Sequence, residues 1–159
     1  MKTFERFFAE HKDKMKLLGI SLNPPATPED INKLEIAVGQ KLPTEIRDFY
    51  AYCDGFDTED WMFNILSIEQ ILYYKFELEK LEFYFAEYMI YSDNWRIKLE
   101  NSTTFSIING NHNEEIQLVL ANSIYEFLSM YLDSDGVLAN NGLYHWYEEK
   151  KESMIKLKD

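Results

Sequence analysis

Cysteine, histidine and glycine are all scarce in this 159-residue sequence, which contains one cysteine, three histidines and six glycines. The single cysteine, Cys53, excludes an internal disulfide and suits a reducing compartment. No run approaches the roughly 20 apolar residues that a membrane-spanning helix requires. Charges interrupt the apolar pattern of residues 1–14, and no small-residue cleavage site is present there. We therefore expect no secretory signal and a cytoplasmic location.

Positive charge is also scarce, because 16 lysines and arginines face 28 acids and give a net charge of −12. Residues 1–53 are balanced, with 8 acids and 8 bases, whereas residues 54–115 hold 13 acids and 4 bases. Such a field repels nucleic-acid phosphates and anionic lipid and attracts cationic partners. We expect neither a nucleic-acid nor a membrane partner. The alternative interpretation is a solvated acidic surface that only maintains solubility.

Residue constellations that would carry catalysis are missing as well. Each histidine stands without an obvious partner in the sequence: His11, His112 and His145. Cys53 lies on the predicted buried side of a helix next to acids, which raise a thiol pKa rather than activate it. The acidic loops at residues 54–60 and 133–136 lack the ligand spacing of a calcium-binding loop. We therefore predict no catalytic residue, no cofactor and no metal site.

Hydrophobic periodicity defines the elements that are present. An amphipathic helix is predicted from Phe4 to Leu18, followed by an extended linker over residues 20–26. Thr27 and Pro28 begin a second helix that Gly39 ends, and residues 42–53 form a third. We expect these two later helices to cover a sheet built from the middle of the chain.

Strands and helices alternate through the rest of the sequence. The predicted strands share β-branched or aromatic residues and cover residues 61–66, 81–91, 95–99, 105–108 and 116–120. Helices are predicted from Ser67, over residues 122–132 and, in the C-terminal tail, over residues 137–155. This order indicates an α+β fold with a mainly antiparallel sheet packed by helices. At this length, residues 1–159 are expected to form a single domain.

The segment over residues 24–55 carries a recognisable pattern. Its residues are Pro24, Pro25, Ala26, Thr27, Pro28, Glu29, Ile31, Leu34, Glu35, Gly39, Leu42, Pro43, Ile46, Phe49, Asp54 and Gly55. A later match covers residues 120–128. Together they resemble the SUKH superfamily, which contains bacterial immunity proteins and a fungal cell-wall-synthesis regulator. Asp54 stands where that family usually has asparagine, and both residues tolerate a turn.

The resemblance implies a SUKH-like fold and a non-enzymatic binding protein. It favours an immunity protein that occludes a cognate toxin, often a basic nuclease. The alternative is a regulatory scaffold domain inside the cell. From the residues themselves, acids beside aromatic rings predict the partner-binding surface, because rings anchor interfaces and charges speed encounter. That surface comprises Asp57, Glu59, Asp60, Trp61, Glu87, Asp93 and Trp95. The alternative interpretation is that these rings belong to the core.

Overall fold

A computed structural model describes residues 2–59, 63–75, 79–88, 93–109, 118–133, 147–149 and 151–152. The helices are α1 (Phe4–Glu10), α2 (Lys12–Leu17), α3 (Pro28–Val38), α4 (Thr44–Tyr52), α5 (Ile68–Tyr74) and α6 (Ile124–Asp133). The strands are β1 (Ser21–Leu22), β2 (Phe56–Asp57), β3 (Phe63–Ile65), β4 (Glu82–Tyr88), β5 (Asp93–Leu99), β6 (Phe105–Asn109) and β7 (Val119–Ala121). The predicted α+β class is confirmed.

The seven strands form one antiparallel sheet in which each strand pairs with its neighbour in sequence. The register of β4 and β5 runs from Glu82 opposite Lys98 to Tyr88 opposite Asp93, with a bulge that follows Tyr84. The sheet is therefore a meander, with α3 and α4 inserted between β1 and β2 and α5 inserted between β3 and β4. The antiparallel sheet predicted for the middle of the chain is confirmed.

Local sequence explains why α3 and α4 form where they do. The Thr27 hydroxyl accepts from the backbone N–H of Asp30, and the Asp30 carboxylate accepts in return from the N–H of Thr27. Gly39 ends α3 with φ +85°. The Glu35 carboxylate then accepts from the Leu42 N–H at 2.8 Å, which fixes the joint between the two helices.

Aromatic side chains join the helices to the sheet. The Phe49 ring on α4 lies 5.6 Å from Phe85 on β4. Phe127 on α6 lies 5.9 Å from both Phe85 and Trp95. All four side chains are buried. One face of the sheet is therefore covered by α4 and α6, as the amphipathic pattern of these helices requires.

Asp54 and Gly55 connect α4 to the sheet. The Asp54 carboxylate accepts from the Ile68 N–H at 2.8 Å, which places a negative charge at the start of α5. The Asp54 carbonyl accepts from the side-chain amide of Asn23 at 2.9 Å. Gly55 has φ +77°, a conformation that favours glycine. Asp54 and Gly55 therefore orient α4, which precedes them, and α5, which follows the hairpin of β2 and β3.

Three local predictions are corrected. The single N-terminal helix is two helices, because the chain breaks at His11 (φ −105°, ψ 14°), whose Nδ1 lies 2.8 Å from the Phe7 carbonyl oxygen. The predicted linker contains β1, and the predicted acidic loop contains β2. These two strands pair with each other, so tertiary contact rather than local propensity forms them.

The tail of the chain is described at a few positions only. Residues 147–149 and 151–152 are helical, and the remainder of the predicted helix over residues 137–155 lies outside the described residues. Within the described ranges, no helix has the length and apolar content that crossing a bilayer demands.

Candidate functional site

A row of four polar side chains crosses the sheet on the face opposite α6. Asp57 on β2 pairs with Asn64 on β3, Asn64 pairs with Glu87 on β4, and Glu87 pairs with Asn94 on β5. Residues directly opposite each other in antiparallel strands point to the same face. Trp95, the next residue after Asn94, points to α6, so the row points away from it. We call Asp57, Asn64, Glu87 and Asn94 the polar row.

Two carboxylates of the polar row lie close enough to repel each other. The Asn64 side-chain amide stands between them and donates to Glu87 Oε1 at 3.4 Å. Burial raises the pKa of the Glu87 carboxyl, the hydrogen bond from Asn64 lowers it, and the negative charge of Asp57 raises it further. In the described part of the chain, no lysine or arginine forms an ion pair with Asp57 or Glu87. The fold therefore holds two half-buried acids without a compensating cation there.

The other end of the polar row is closed. Asn94 is fully buried, and neither its side-chain oxygen nor its nitrogen has a hydrogen-bond partner among the residues described. Beside it on β5, Arg96 Nη1 lies 3.3 Å from Glu82 Oε2, and both side chains are largely buried. Within the polar row, the acidic side chains that a partner could reach are therefore those of Asp57 and Glu87.

The other residues of the predicted partner-binding surface do not all lie in the polar row. Glu59 is exposed just after β2, and its side chain lies against Gly19. Asp93 begins β5 opposite Tyr88. Asp60 and Trp61 lie outside the described residues. The structure therefore brings Asp57 and Glu87 together in one row and puts Glu59 two residues beyond Asp57 in the chain.

The prediction that Trp95 presents its ring to a partner is wrong. Its side chain is 1% exposed and packs edge-on against Phe63 at 5.7 Å and against Phe127 at 5.9 Å. Tyr84 and Tyr88 on β4 are buried as well. Strand alternation assigns neighbours to opposite faces, but both faces of β4 are covered. Among the described residues, acids rather than aromatic rings mark the candidate surface.

Cys53 and His11, whose side chains could in principle take part in catalysis, contribute to packing instead. Burial raises the pKa of the Cys53 thiol to about 12, so this cysteine stays protonated and unreactive at neutral pH. His11 Nε2 lies 3.2 Å from Asp133 Oδ1 and joins two helices. Of the residues that the structure describes, no three histidines, cysteines or acids are grouped to hold a metal ion.

Sequence reasoning missed the two amides of the polar row. Asn64 and Asn94 are unremarkable in the sequence, and only strand register reveals that they flank Glu87. The available signal was the position of each residue next to an inward-facing aromatic neighbour, Phe63 and Trp95. That signal places an amide on the opposite face but does not identify what it contacts.

A family model described as SMI1 / KNR4 family (SUKH-1) matches residues 25–154. The match begins just before α3, extends past α6, and leaves α1, α2 and β1 in front of it. The sequence matches no curated protein.

Proposed function

This chain belongs to the SMI1/KNR4 family (SUKH-1), and from that premise we propose that it is a bacterial immunity protein that neutralises a cognate toxin by binding it. SUKH domains are protein-interaction domains of an immunity or regulatory type, and they are generally non-enzymatic. The proposed partner is a basic toxin domain, such as a nuclease, and the proposed site of action is the cytoplasm.

The uncompensated acid pair of Asp57 and Glu87 is the observation that supports this proposal. Two half-buried carboxylates that repel each other lower the stability of the fold. Residues that reduce stability are often retained because function needs them. The group that would complement them is a lysine or arginine side chain, which supplies both the opposite charge and hydrogen-bond donors.

The proposed mechanism is occlusion. A toxin that acts on nucleic acid needs a basic surface for phosphates, and an acidic face can cover that surface in their place. Asp57, Glu59 and Glu87 would form the described part of this face, and we propose that Asp60, Trp61 and Asp93 extend it. The negative charge of residues 54–115 would also speed the encounter of the two proteins.

The proposal predicts a toxin gene beside this gene, and the test is a binding titration against the product of that neighbouring gene. We expect the double variant Asp57→Asn/Glu87→Gln to bind at least about tenfold more weakly at 100 mM salt, since each lost charged contact is worth about 1.5–3 kcal/mol. The matched control is Glu29→Gln/Asp48→Asn, which removes two exposed acids elsewhere and should change affinity less than about twofold.

Two results would contradict different parts of the proposal, the role of the acid pair and the immunity function itself. Equal weakening by both double variants would show that overall charge, rather than the acid pair, attracts the toxin. A wild-type protein that neither binds nor inhibits the neighbouring toxin would rule out immunity. It would favour the regulatory type of SUKH domain, for which no adjacent toxin gene is expected.

A further inference from the structure

His11 stands where α1 ends and α2 begins, and both nitrogen atoms of its ring meet oxygen atoms. Nδ1 lies 2.8 Å from the carbonyl oxygen of Phe7, one turn back on α1. Nε2 lies 3.2 Å from Oδ1 of Asp133, the last residue of α6. The His11 side chain is 17% exposed and the Asp133 side chain is 65% exposed, so the contact lies at the edge of the core. The ring therefore connects the α1–α2 junction to the end of α6.

These two contacts require two hydrogen-bond donors on one ring. A peptide carbonyl and an ionised carboxylate only accept hydrogen bonds, whereas neutral imidazole carries a single N–H. A neutral ring would therefore direct one nitrogen lone pair at an oxygen atom of Phe7 or Asp133. The imidazolium ion carries an N–H on each nitrogen and satisfies both oxygens. The geometry thus requires one proton more than a neutral His11 beside an ionised Asp133 would hold.

Loss of that proton should break the contact with α6 rather than the contact within α1. The Phe7 carbonyl also accepts from the backbone N–H of His11 at 3.2 Å, so the ring stays close to this carbonyl whatever α6 does. The neutral ring therefore keeps its N–H on Nδ1. Its Nε2 lone pair then faces the ionised Asp133 carboxylate, and two acceptors repel each other. The contact between helices thus depends on protonation, and the local contact does not.

α2 is a six-residue helix in which no residue is fully buried. A helix this short is not stable in water without tertiary contacts. The structure supplies them by placing α2 beside α6 and by packing Met15 and Leu18, both partly buried, against the core. α1, by contrast, buries Phe4, Phe7 and Phe8. Loss of the contact between His11 and Asp133 should therefore loosen α2 and leave α1 in place.

Charged side chains of both signs surround His11 on the three helices that meet there. Besides Asp133, those of the described residues are Lys2, Arg6, Glu10, Lys12, Asp13, Lys14 and Glu126. Four are cations and three are anions, so their charges nearly cancel. The negative ends of α1 and α6 favour an imidazolium at this position, and the positive end of α2 opposes it. The Asp133 carboxylate, which lies within hydrogen-bond distance of the ring, is therefore the group that selects the charged form.

We propose that His11 and Asp133 form a pH-sensitive latch, which holds α2 on α6 while the ring is protonated and releases α2 as pH rises. Histidine is the side chain that ordinarily changes charge between about pH 5 and pH 8, so the latch responds near neutral pH. α1 and α2 both precede the family-matched residues 25–154, and the latch therefore fastens a part of the chain outside the match. It acts whether or not the partner is a toxin.

The first measurement is hydrogen exchange of the full chain at about pH 5.5 and pH 8, corrected for the intrinsic exchange rate of each amide. The backbone N–H groups of Met15 and Leu18 donate within α2 and report its opening. Their protection should fall about threefold at the higher pH, the effect expected of a surface ion pair, while the amides of α3 should not change. In ¹⁵N spectra of the ring, both His11 nitrogens should be protonated at the lower pH and Nδ1 alone at the higher pH.

The decisive variant is Asp133→Asn, whose side-chain amide can donate to the Nε2 atom of a neutral ring. It should therefore keep α2 equally protected at both pH values. The matched control is Glu126→Gln, which removes an exposed acid from the same helix and should retain the wild-type pH dependence.

Three outcomes would overturn the latch. The first is equal protection of α2 at the two pH values in the wild type. The second is an Asp133→Asn variant with the wild-type pH dependence, or a parallel loss of protection in α3, which would mean that the effect is global. The third is a wild-type ring with a single protonated nitrogen at the lower pH, a result that decides the question even if Asp133→Asn fails to fold.

Discussion

Gly55 is the residue whose replacement should disturb this fold most directly. Its φ of +77° is strained for any residue with a Cβ, and an added Cβ would lie 2.3 Å from the Ile65 carbonyl oxygen. Because backbone atoms of β3 cannot move away cheaply, Gly55→Ala should lower the free energy of unfolding by roughly 3 kcal/mol or more. Urea denaturation followed by tryptophan fluorescence measures this loss.

The matched control for Gly55 is Gly39. It also has a positive φ, of +85°, but an added Cβ would meet only the flexible end of the Lys80 side chain. Gly39→Ala should therefore cost about 1 kcal/mol, the price of the left-handed conformation alone. Equal losses in the two variants would show that backbone strain, and not the contact with β3, determines the requirement for glycine at position 55.

At the scale of the element, α6 depends on a cap supplied by another helix. Glu45 Oε1 on α4 accepts from the Ile124 N–H at 2.6 Å and from the Ser123 hydroxyl at 2.8 Å. Glu45→Gln removes the charge that opposes the helix dipole, so α6 should lose about 1–2 kcal/mol. Hydrogen exchange should accelerate at residues 124–126. Asp48→Asn, one turn along α4, should leave these amides unchanged, and acceleration in both variants would contradict a specific cap.

Caps show which parts of the fold could be predicted from the sequence. Thr27 and Ser67 cap helices through residues three positions away, so the pattern is visible in a short segment. The Ser123 hydroxyl also makes a local contact of this kind, because it accepts from the Glu126 N–H at 3.4 Å. The stronger cap, Glu45, lies 78 residues earlier than Ser123, and no local pattern reports such a contact.

The strands show the same limit of local sequence patterns, which do not report contacts between distant parts of the chain. The long strands β4, β5 and β6 could be predicted because each has enough residues to display its composition. β1 and β2 have two residues each, too few for alternation, and exist because they pair with each other. Trp95 shows a related limit: alternation put it on the face opposite Asn94 but did not identify which of the two faces meets α6.

The candidate site was predicted in composition but not in geometry. The density of acids in residues 54–115 drew attention to Asp57 and Glu87, which are 30 positions apart in the chain. Their proximity depends on the register through Asn64, which follows from the whole meander. A charge tally therefore identifies the segment that contains both acids, and only the assembled sheet places the two acids in one row.

For the whole molecule, the acid pair predicts how stability depends on pH. The pKa of Glu87 in the folded protein lies above its ordinary value of 4.5, so the folded state binds more protons than the unfolded state as pH rises through that range. Stability contributed by protonated Glu87 is therefore fully present below pH 4.5 and is lost as pH rises through the folded-state pKa. Above that window, ionised Glu87 is a net cost to the fold.

Glu87→Gln mimics the protonated acid and should remove this cost. At pH 7 the variant should be more stable than the wild type by about 0.5–1 kcal/mol, since solvent screens a half-buried charge. This corresponds to a rise of about 2 °C in melting temperature for a chain of this size. Below pH 4 the two proteins should melt together. Asp48→Asn, which removes one exposed charge inside α4 and away from its first turn, should show no such convergence. If instead Glu87→Gln were less stable than the wild type at pH 7, the carboxylate would be stabilising the fold, and the proposal that it is retained for binding would lose its physical basis.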